Sequence, residues 1–165
     1  MDRCAECGYH YDDDTARHAA RAIRDGTAEV VAIIEDPSHE LRTRRQPQTW
    51  SPLEYACHLR DMLLVQRERI LTARRTHRPV ATPMGRDDRV DHDGYAEQEP
   101  ADVARQLVDA ALMFGNVLNR LDDADWARVL VYPYPEPGAE RTLRWVALHS
   151  LHEIRHHLLD IRRQV

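Results

Sequence analysis

Apolar residues recur every three, four or seven positions along four long stretches of the chain, which is the spacing of one helix face. These stretches predict four helices, at about Thr15–Glu35, Ser51–Arg75, Ala101–Leu121 and Thr142–Arg163. In the first, Ala19, Ile23 and Val30 share one face, and Gly26 weakens the helix and could bend it. Four long helices predict an all-α four-helix bundle.

The second helix has the clearest start signal in the chain. Ser51 is followed by Pro52 and Glu54, which gives a serine at the N-cap, a proline at the first helical position and a glutamate three residues after the cap. This is the pattern of a capping box, in which the serine and the glutamate each accept a backbone N–H. His58 and Leu59 then flank the inner face of this helix.

The connections between the helices are long and rich in proline and glycine. Residues 76–100 and 122–140 are predicted as loops, and connections of this length are often lids or crossovers. At least one can cross the bundle from end to end, so a simple up-down-up-down order is not required. Residues 128–132 could form a short extended segment. Residues 1–14 are predicted as a cysteine-containing head, and residues 15–165 as a single bundle domain.

Composition narrows the class of protein. The 165 residues are 42% hydrophobic and 31% charged, with a formal net charge of -5, which suits one soluble domain. The arginines alternate with acidic residues, so no basic stripe for nucleic acid is present, and no apolar run approaches a membrane span. Three cysteines and a polar opening without a signal peptide favour a reducing, cytoplasmic location.

A dense group of metal-ligand residue types lies in the last predicted helix. Four of the ten histidines and one glutamate fall within nine residues: His149, His152, Glu153, His156 and His157. Three pairs are four residues apart and share a helix face: His149/Glu153, His152/His156 and Glu153/His157. A third ligand could come from His58 on the second helix, which would leave coordination positions open, as in catalytic metal sites. Helix geometry alone does not choose among the pairs.

Two short strings carry a family resemblance. His58-Leu-Arg-Asp61, after the helix start at Trp50, resembles the first metal motif of the DinB-like superfamily, and Glu153-Ile-Arg-His-His157-Leu-Leu-Asp160 resembles the second. The resemblance is strongest to the branch of mycothiol-dependent maleylpyruvate isomerases and related thiol S-transferases. That branch has a helix-two histidine and a Glu-x-x-x-His-x-x-Asp pattern in the last helix, where other branches have a histidine in place of the glutamate.

The resemblance implies a ligand set and a cofactor. His58, Glu153 and His157 would bind a divalent metal, for which zinc is expected and nickel or iron are alternatives. The pair His152/His156 is the competing choice. Four residues are then predicted to surround the metal in catalytic or orienting roles: His149, His156, Asp61 and Asp160. For the two aspartates, ordinary salt bridges are the alternative.

The function implied is that of a metal-dependent thiol S-transferase or isomerase. A low-molecular-weight thiol, mycothiol by resemblance, would bind the metal as thiolate and attack an electrophilic small molecule. A substrate carboxylate could pair with Arg60, Arg86 or Arg89. Two alternatives are a metal-dependent hydrolase that uses metal-bound water, and a non-enzymatic, stress-linked binding or dimerisation protein. A homodimer is compatible with each of these.

The amino-terminal Cys4-Ala-Glu-Cys7 has the spacing of half a zinc knuckle. His10 is a candidate third ligand for a structural zinc, and the fourth is open between an acidic residue and Cys57. A pair of free thiols is the alternative, while thioredoxin-like redox chemistry requires a βαβ setting that the helical pattern does not provide. Cys57 is predicted to be a small buried apolar residue.

Overall fold

The computed structural model describes residues 3–133 and 138–165, and in this part of the chain six α-helices surround one buried core. The helices are α1 (Ala19–Ile34), α2 (Pro52–Arg75), α3 (Arg86–His92), α4 (Pro100–Leu118), α5 (Asp123–Ala127) and α6 (Leu143–Gln164). The four long ones, α1, α2, α4 and α6, coincide with the four predicted helices. The predicted start of the first helix forms a separate 3-10 turn, Asp13–His18, which Asp12 caps by accepting the Asp14 N–H at 3.0 Å.

The four long helices form a bundle in which neighbours in sequence are not always neighbours in space. Both α1 and α2 pack against α4 and α6, while α1 and α2 touch each other only sparsely across the diagonal. The predicted all-α four-helix bundle with crossing connections is therefore confirmed. None of the helices in the described residues combines the length and apolarity needed to cross a membrane.

The long connections contain short elements that the apolar pattern did not predict. The first holds α3 and a 3-10 turn, Tyr95–Glu97, and the second holds α5 and a hairpin. The hairpin pairs β1 (Val129–Tyr132) with β2 (Ala139–Thr142) in antiparallel register, so the extended segment predicted at 128–132 is confirmed. Residues 134–137 of the predicted proline-rich loop lie outside the described residues.

The capping box holds the start of α2 in place. The Ser51 hydroxyl accepts the Glu54 N–H at 3.3 Å, and the Glu54 carboxylate accepts the Ser51 N–H at 2.7 Å. Arg44 also donates to both oxygens of Glu54, at 2.6 and 2.8 Å. Because Glu54 lies one turn before His58, these contacts fix the part of α2 that carries His58.

Helix α6 is positioned by its own cap and by a close contact with α1. The Thr142 hydroxyl accepts the Trp145 N–H at 3.1 Å and so starts the helix directly after β2. On the opposite side, Gly26 is buried and faces Ile154, whose Cγ2 would lie 2.7 Å from a Cβ at position 26. The glycine that was expected to bend α1 lies within a continuous helix and allows α6 to approach, next to Glu153.

Candidate metal centre

Three side chains from two helices converge inside the bundle. His58 of α2 meets Glu153 and His157 of α6, and their ligand atoms all lie within 4.8 Å of one another. The Glu153 Oε2 atom is 3.7 Å from His58 Nε2 and 3.5 Å from His157 Nε2. Two ligands at ordinary zinc distances in a tetrahedral site are about 3.4 Å apart. The two separations from Glu153 are close to this value, so the three residues could hold one metal ion.

His58 provides the test of whether these residues fit a metal. Its side chain is only 2% exposed, and neither ring nitrogen has a hydrogen-bond partner among the described residues. Buried polar atoms are almost always paired, so the unpaired Nε2 atom, which faces Glu153, points to a bound ion. Burial also lowers the pKa of His58, which favours the neutral imidazole that binds metals.

The two oxygens of Glu153 face different neighbours. Oε2 faces His58 and His157. Oε1 lies 4.0 Å from His149 Nε2 and 3.8 Å from His152 Nδ1. Burial opposes ionisation of Glu153, but His157 and His58 outweigh it and hold its pKa well below the usual value. The carboxylate is therefore ionised, as a ligand must be.

Asp160 orients His157. Its Oδ2 atom is 3.0 Å from His157 Nδ1, which leaves Nε2 directed at Glu153. A carboxylate behind a ligating imidazole fixes the ring and its tautomer. Burial favours the neutral form of His157, but Asp160 and Glu153 outweigh it and raise the pKa of His157 to about 9. A metal ion that binds Nε2 must therefore displace a proton from this ring. Asp160 also lies 3.5 Å from Arg163, so the predicted orienting contact and the predicted salt bridge both occur.

Asp61 does not have the predicted contact with His58. Its carboxylate accepts from Arg60 at 2.7 Å, from Tyr95 at 2.7 Å and from Arg89 at 3.1 Å. His58 has no hydrogen bond to it. Although Asp61 is three residues beyond His58, its partners are the adjacent Arg60 of α2 and two residues that follow α2, Arg89 and Tyr95. These contacts draw it into a separate ionic network. The orienting role predicted for Asp61 is therefore wrong, and the alternative of a salt bridge is right.

The same network engages two of the three arginines considered for a substrate carboxylate. Arg60 donates to Gln98 and Gln106 as well as to Asp61, and Arg89 donates to the Met84 carbonyl. Their donors are committed to internal partners. Arg86 is different, since it is exposed and its one ionic contact within residues 3–133 and 138–165 is with Asp87, at 3.5 Å.

Aromatic rings contact both candidate histidine ligands. Trp50 contacts His58 at 5.1 Å between ring centroids, and Tyr55 contacts His157 at 5.1 Å. Sequence reasoning missed both residues. Tyr55 could have been found, because it precedes His58 by three residues and so shares its helix face. Trp50 precedes the helix, where periodicity gives no information.

His149 lies at the edge of this group. It stacks on Trp145 at 4.5 Å between centroids and is 3.0 Å from the Tyr11 hydroxyl. Burial lowers its pKa, so the ring is neutral. The contact with Tyr11 was not predictable, since Tyr11 comes from the amino-terminal segment at the other end of the sequence.

The predicted zinc site at the amino terminus has different partners from those expected. Cys4 and Cys7 meet His152 and His156 of α6, while His10 is exposed and pairs with the backbone of Arg3. His10, predicted as the third ligand, is not part of this group. His152 and His156 are likewise not the partners of His58. Cys57 is fully buried, as predicted.

A cleft of about 470 Å³ lies on another side of α2. It is bounded by Asp61, Val65 and Arg69 of α2 and by residues 79–82. None of the three candidate ligands lines it. The chemistry of the ligand cluster, and not the size of this cleft, therefore identifies the candidate centre.

Fold and site together define a helical bundle in which two histidines and one carboxylate converge and could hold a metal ion. The chain belongs to the DinB superfamily, whose family model matches residues 19–161. Among solved structures it is similar to YfiT from Bacillus subtilis, described as a probable metal-dependent hydrolase with an unusual four-helix bundle topology. That match has a TM-score of 0.80 and 16% identity and covers 93% of this chain and 87% of the other. No curated protein sequence matches the chain.

Proposed function

We propose that this protein is a metal-dependent thiol S-transferase or isomerase that uses mycothiol as its thiol. The observation that carries the proposal is the buried cluster of His58, Glu153 and His157, with both His58 ring nitrogens unpaired. The carboxylate at position 153, followed by His157 and Asp160, matches the pattern of the mycothiol-dependent branch.

His58, Glu153 and His157 would hold the metal, with zinc as the expected ion. When bound, the metal supplies Lewis acidity that lowers the pKa of a thiol in its open position, so that thiolate is available at neutral pH. Three protein ligands leave that position free. The rings of Trp50 and Tyr55 restrict water around the ligands and strengthen electrostatic interactions there.

Other residues prepare the site for this reaction. Asp160 holds the His157 ring so that Nε2 faces the ligand cluster. Neutral His149, 4.0 Å from Glu153, is placed to accept the proton that the incoming thiol releases. Exposed Arg86 is the arginine available to pair with a carboxylate on the electrophile.

The direct test is metal-dependent thiol consumption. Protein stripped with a chelator and reloaded with zinc is mixed with mycothiol and monochlorobimane, and the fluorescent conjugate forms as the thiolate sulfur displaces chloride. We expect conjugation with the zinc-loaded wild type and loss of it in His157→Ala. His77→Ala removes an exposed histidine instead and serves as the matched control. Equal rates for metal-free and zinc-loaded protein would contradict the proposal.

A metal-dependent hydrolase is the second candidate. Its support is the similarity in fold to the Bacillus subtilis protein described as a probable metal-dependent hydrolase. The same three ligands would then activate water in place of thiol. Turnover of activated esters or amides by the zinc-loaded protein without any thiol favours this candidate, while a strict thiol requirement favours the first.

A further inference from the structure

The amino-terminal cysteines and the second histidine pair of α6 form another compact cluster. The ligand atoms of Cys4, Cys7, His152 and His156 all lie within 4.8 Å of one another. Cys4 Sγ is 3.7 Å from His156 Nδ1, and a sulfur and a nitrogen bound to one tetrahedral zinc are about 3.6 Å apart. Two cysteines separated by two residues and two histidines separated by three are also the ligand spacing of Cys₂His₂ zinc sites.

Backbone hydrogen bonds close a tight turn around the two cysteines. The Cys4 N–H donates to the Tyr9 carbonyl at 2.8 Å, and the Gly8 N–H donates to the Cys4 carbonyl at 3.0 Å. Gly8 has a φ of 71°, a left-handed conformation that glycine adopts without strain. These contacts close the turn that holds the ligand atoms of Cys4 and Cys7 within 4.8 Å of each other.

An unpaired nitrogen of His152 is a second, independent indication that this cluster binds a metal ion. Its Nε2 atom is buried and has no hydrogen-bond partner among the described residues. Its other nitrogen, Nδ1, is 2.9 Å from the Tyr11 hydroxyl. This contact fixes the ring and leaves Nε2 as the free donor atom, as outer partners of metal-ligating histidines do.

We propose that Cys4, Cys7, His152 and His156 bind a structural zinc ion. Two thiolates and two imidazoles complete a tetrahedral shell, so this site is closed, in contrast to the three-ligand centre inside the bundle. Binding releases the thiol protons and leaves a site without net charge. The ion joins residues 4–7 to α6.

The zinc site gives the amino-terminal segment a structural role. This segment places Tyr9 in the buried core and brings the Tyr11 hydroxyl to His149 and His152. A metal link between this segment and α6 therefore holds one wall of the candidate metal centre. The two centres use neighbouring pairs of α6, His152/His156 on one side and Glu153/His157 on the other.

Cobalt substitution tests the site without reference to activity. The reduced, chelator-treated protein is loaded with Co²⁺, unbound ion is removed, and near-ultraviolet absorption is recorded. Thiolate bound to Co²⁺ gives a charge-transfer band there, and only the cysteine cluster contains sulfur ligands. We expect this band in the wild type, its loss in Cys4→Ser, and a weaker, altered spectrum in His152→Ala and His156→Ala.

Two control variants distinguish this site from one that uses His10 and from the inner centre at His58. His10→Ala should retain the full band, since His10 is not part of the four-residue cluster. His58→Ala should also retain it, because the inner centre has no sulfur ligand, so failure of the proposed function leaves this result unchanged. The proposal is overturned if the reduced wild type shows no thiolate band, or if His152→Ala and His156→Ala leave the band unaltered.

Discussion

The contact between Gly26 and Ile154 allows a quantitative prediction about how the bundle positions α6. A Cβ at position 26 would lie 2.7 Å from Ile154 Cγ2, whereas carbon atoms in contact are about 3.5–4.0 Å apart. Gly26→Ala therefore forces a shift of about 1 Å in a buried contact. Because the isoleucine is branched at Cβ and has few alternative rotamers, it cannot easily move away.

Two opposing effects decide whether Gly26→Ala raises or lowers the free energy of unfolding. Alanine is favoured over glycine in a helix interior by about 1 kcal/mol, and overpacking of a core costs about 1–3 kcal/mol. We expect the overpacking to win, with a net loss of about 1 kcal/mol in the free energy of unfolding and a fall in Tm of about 2–4 °C.

Gly115→Ala is the matched control within the same bundle. Its Cβ would lie 3.4 Å from Arg24 Nη1 and 3.7 Å from Ala20 Cβ, which the flexible arginine can accommodate. This variant should keep the gain in helix propensity and be at least as stable as the wild type. Urea unfolding of both variants provides the measurement. If Gly26→Ala proves as stable as Gly115→Ala, the close approach of α1 and α6 does not determine the packing beside Glu153.

Three further variants test the supports of the site. Ser51→Ala removes the capping box of α2 and should lower the free energy of unfolding by about 1 kcal/mol in urea titrations; no change would mean that the cap does not anchor α2. Asp160→Asn should weaken metal binding about 10–100-fold in competition with a chelator, because His157 loses its orienting partner; unchanged affinity would contradict that role. Burial raises the pKa of Asp61, but hydrogen bonds from Arg60 and Tyr95 outweigh it and the net pKa is lowered. The ionised Asp61 carboxylate therefore contributes its full stabilisation above its pKa in the unfolded chain, about 3.9. This contribution is lost as the pH falls through the lower pKa that Asp61 has in the folded protein. In urea titrations, the difference in free energy of unfolding between wild type and Asp61→Asn should accordingly shrink below about pH 4. A difference that does not change with pH would contradict this role of the Asp61 network.

The long helices could be predicted because their apolar faces repeat over many turns. The capping box at Ser51 marks the start of α2 correctly, since a cap depends on residues close in sequence. The short helices α3 and α5 could not be found in this way, because five to seven residues span too few turns to show a period.

The two candidate metal centres show where local patterns stop being informative. Helical spacing leaves three ligand pairs open in α6, and the structure gives two of them separate partners: His58 for Glu153/His157, and the cysteine turn for His152/His156. That assignment depends on which segments pack on each side of α6. The cysteine turn comes from the other end of the chain, since even Cys7 and His152 are 145 positions apart in sequence. The errors at His10 and Asp61 have one cause: closeness in sequence does not determine where a side chain points.

The most direct test of the inner centre is metal content in protein that lacks the other site. In a Cys4→Ser/Cys7→Ser background, elemental analysis should find about one metal ion per chain, held by His58, Glu153 and His157. Adding His58→Ala to this background should abolish the bound metal, while adding His77→Ala should leave it unchanged. Equal metal content with and without His58 would contradict the assignment of these three residues as a metal centre.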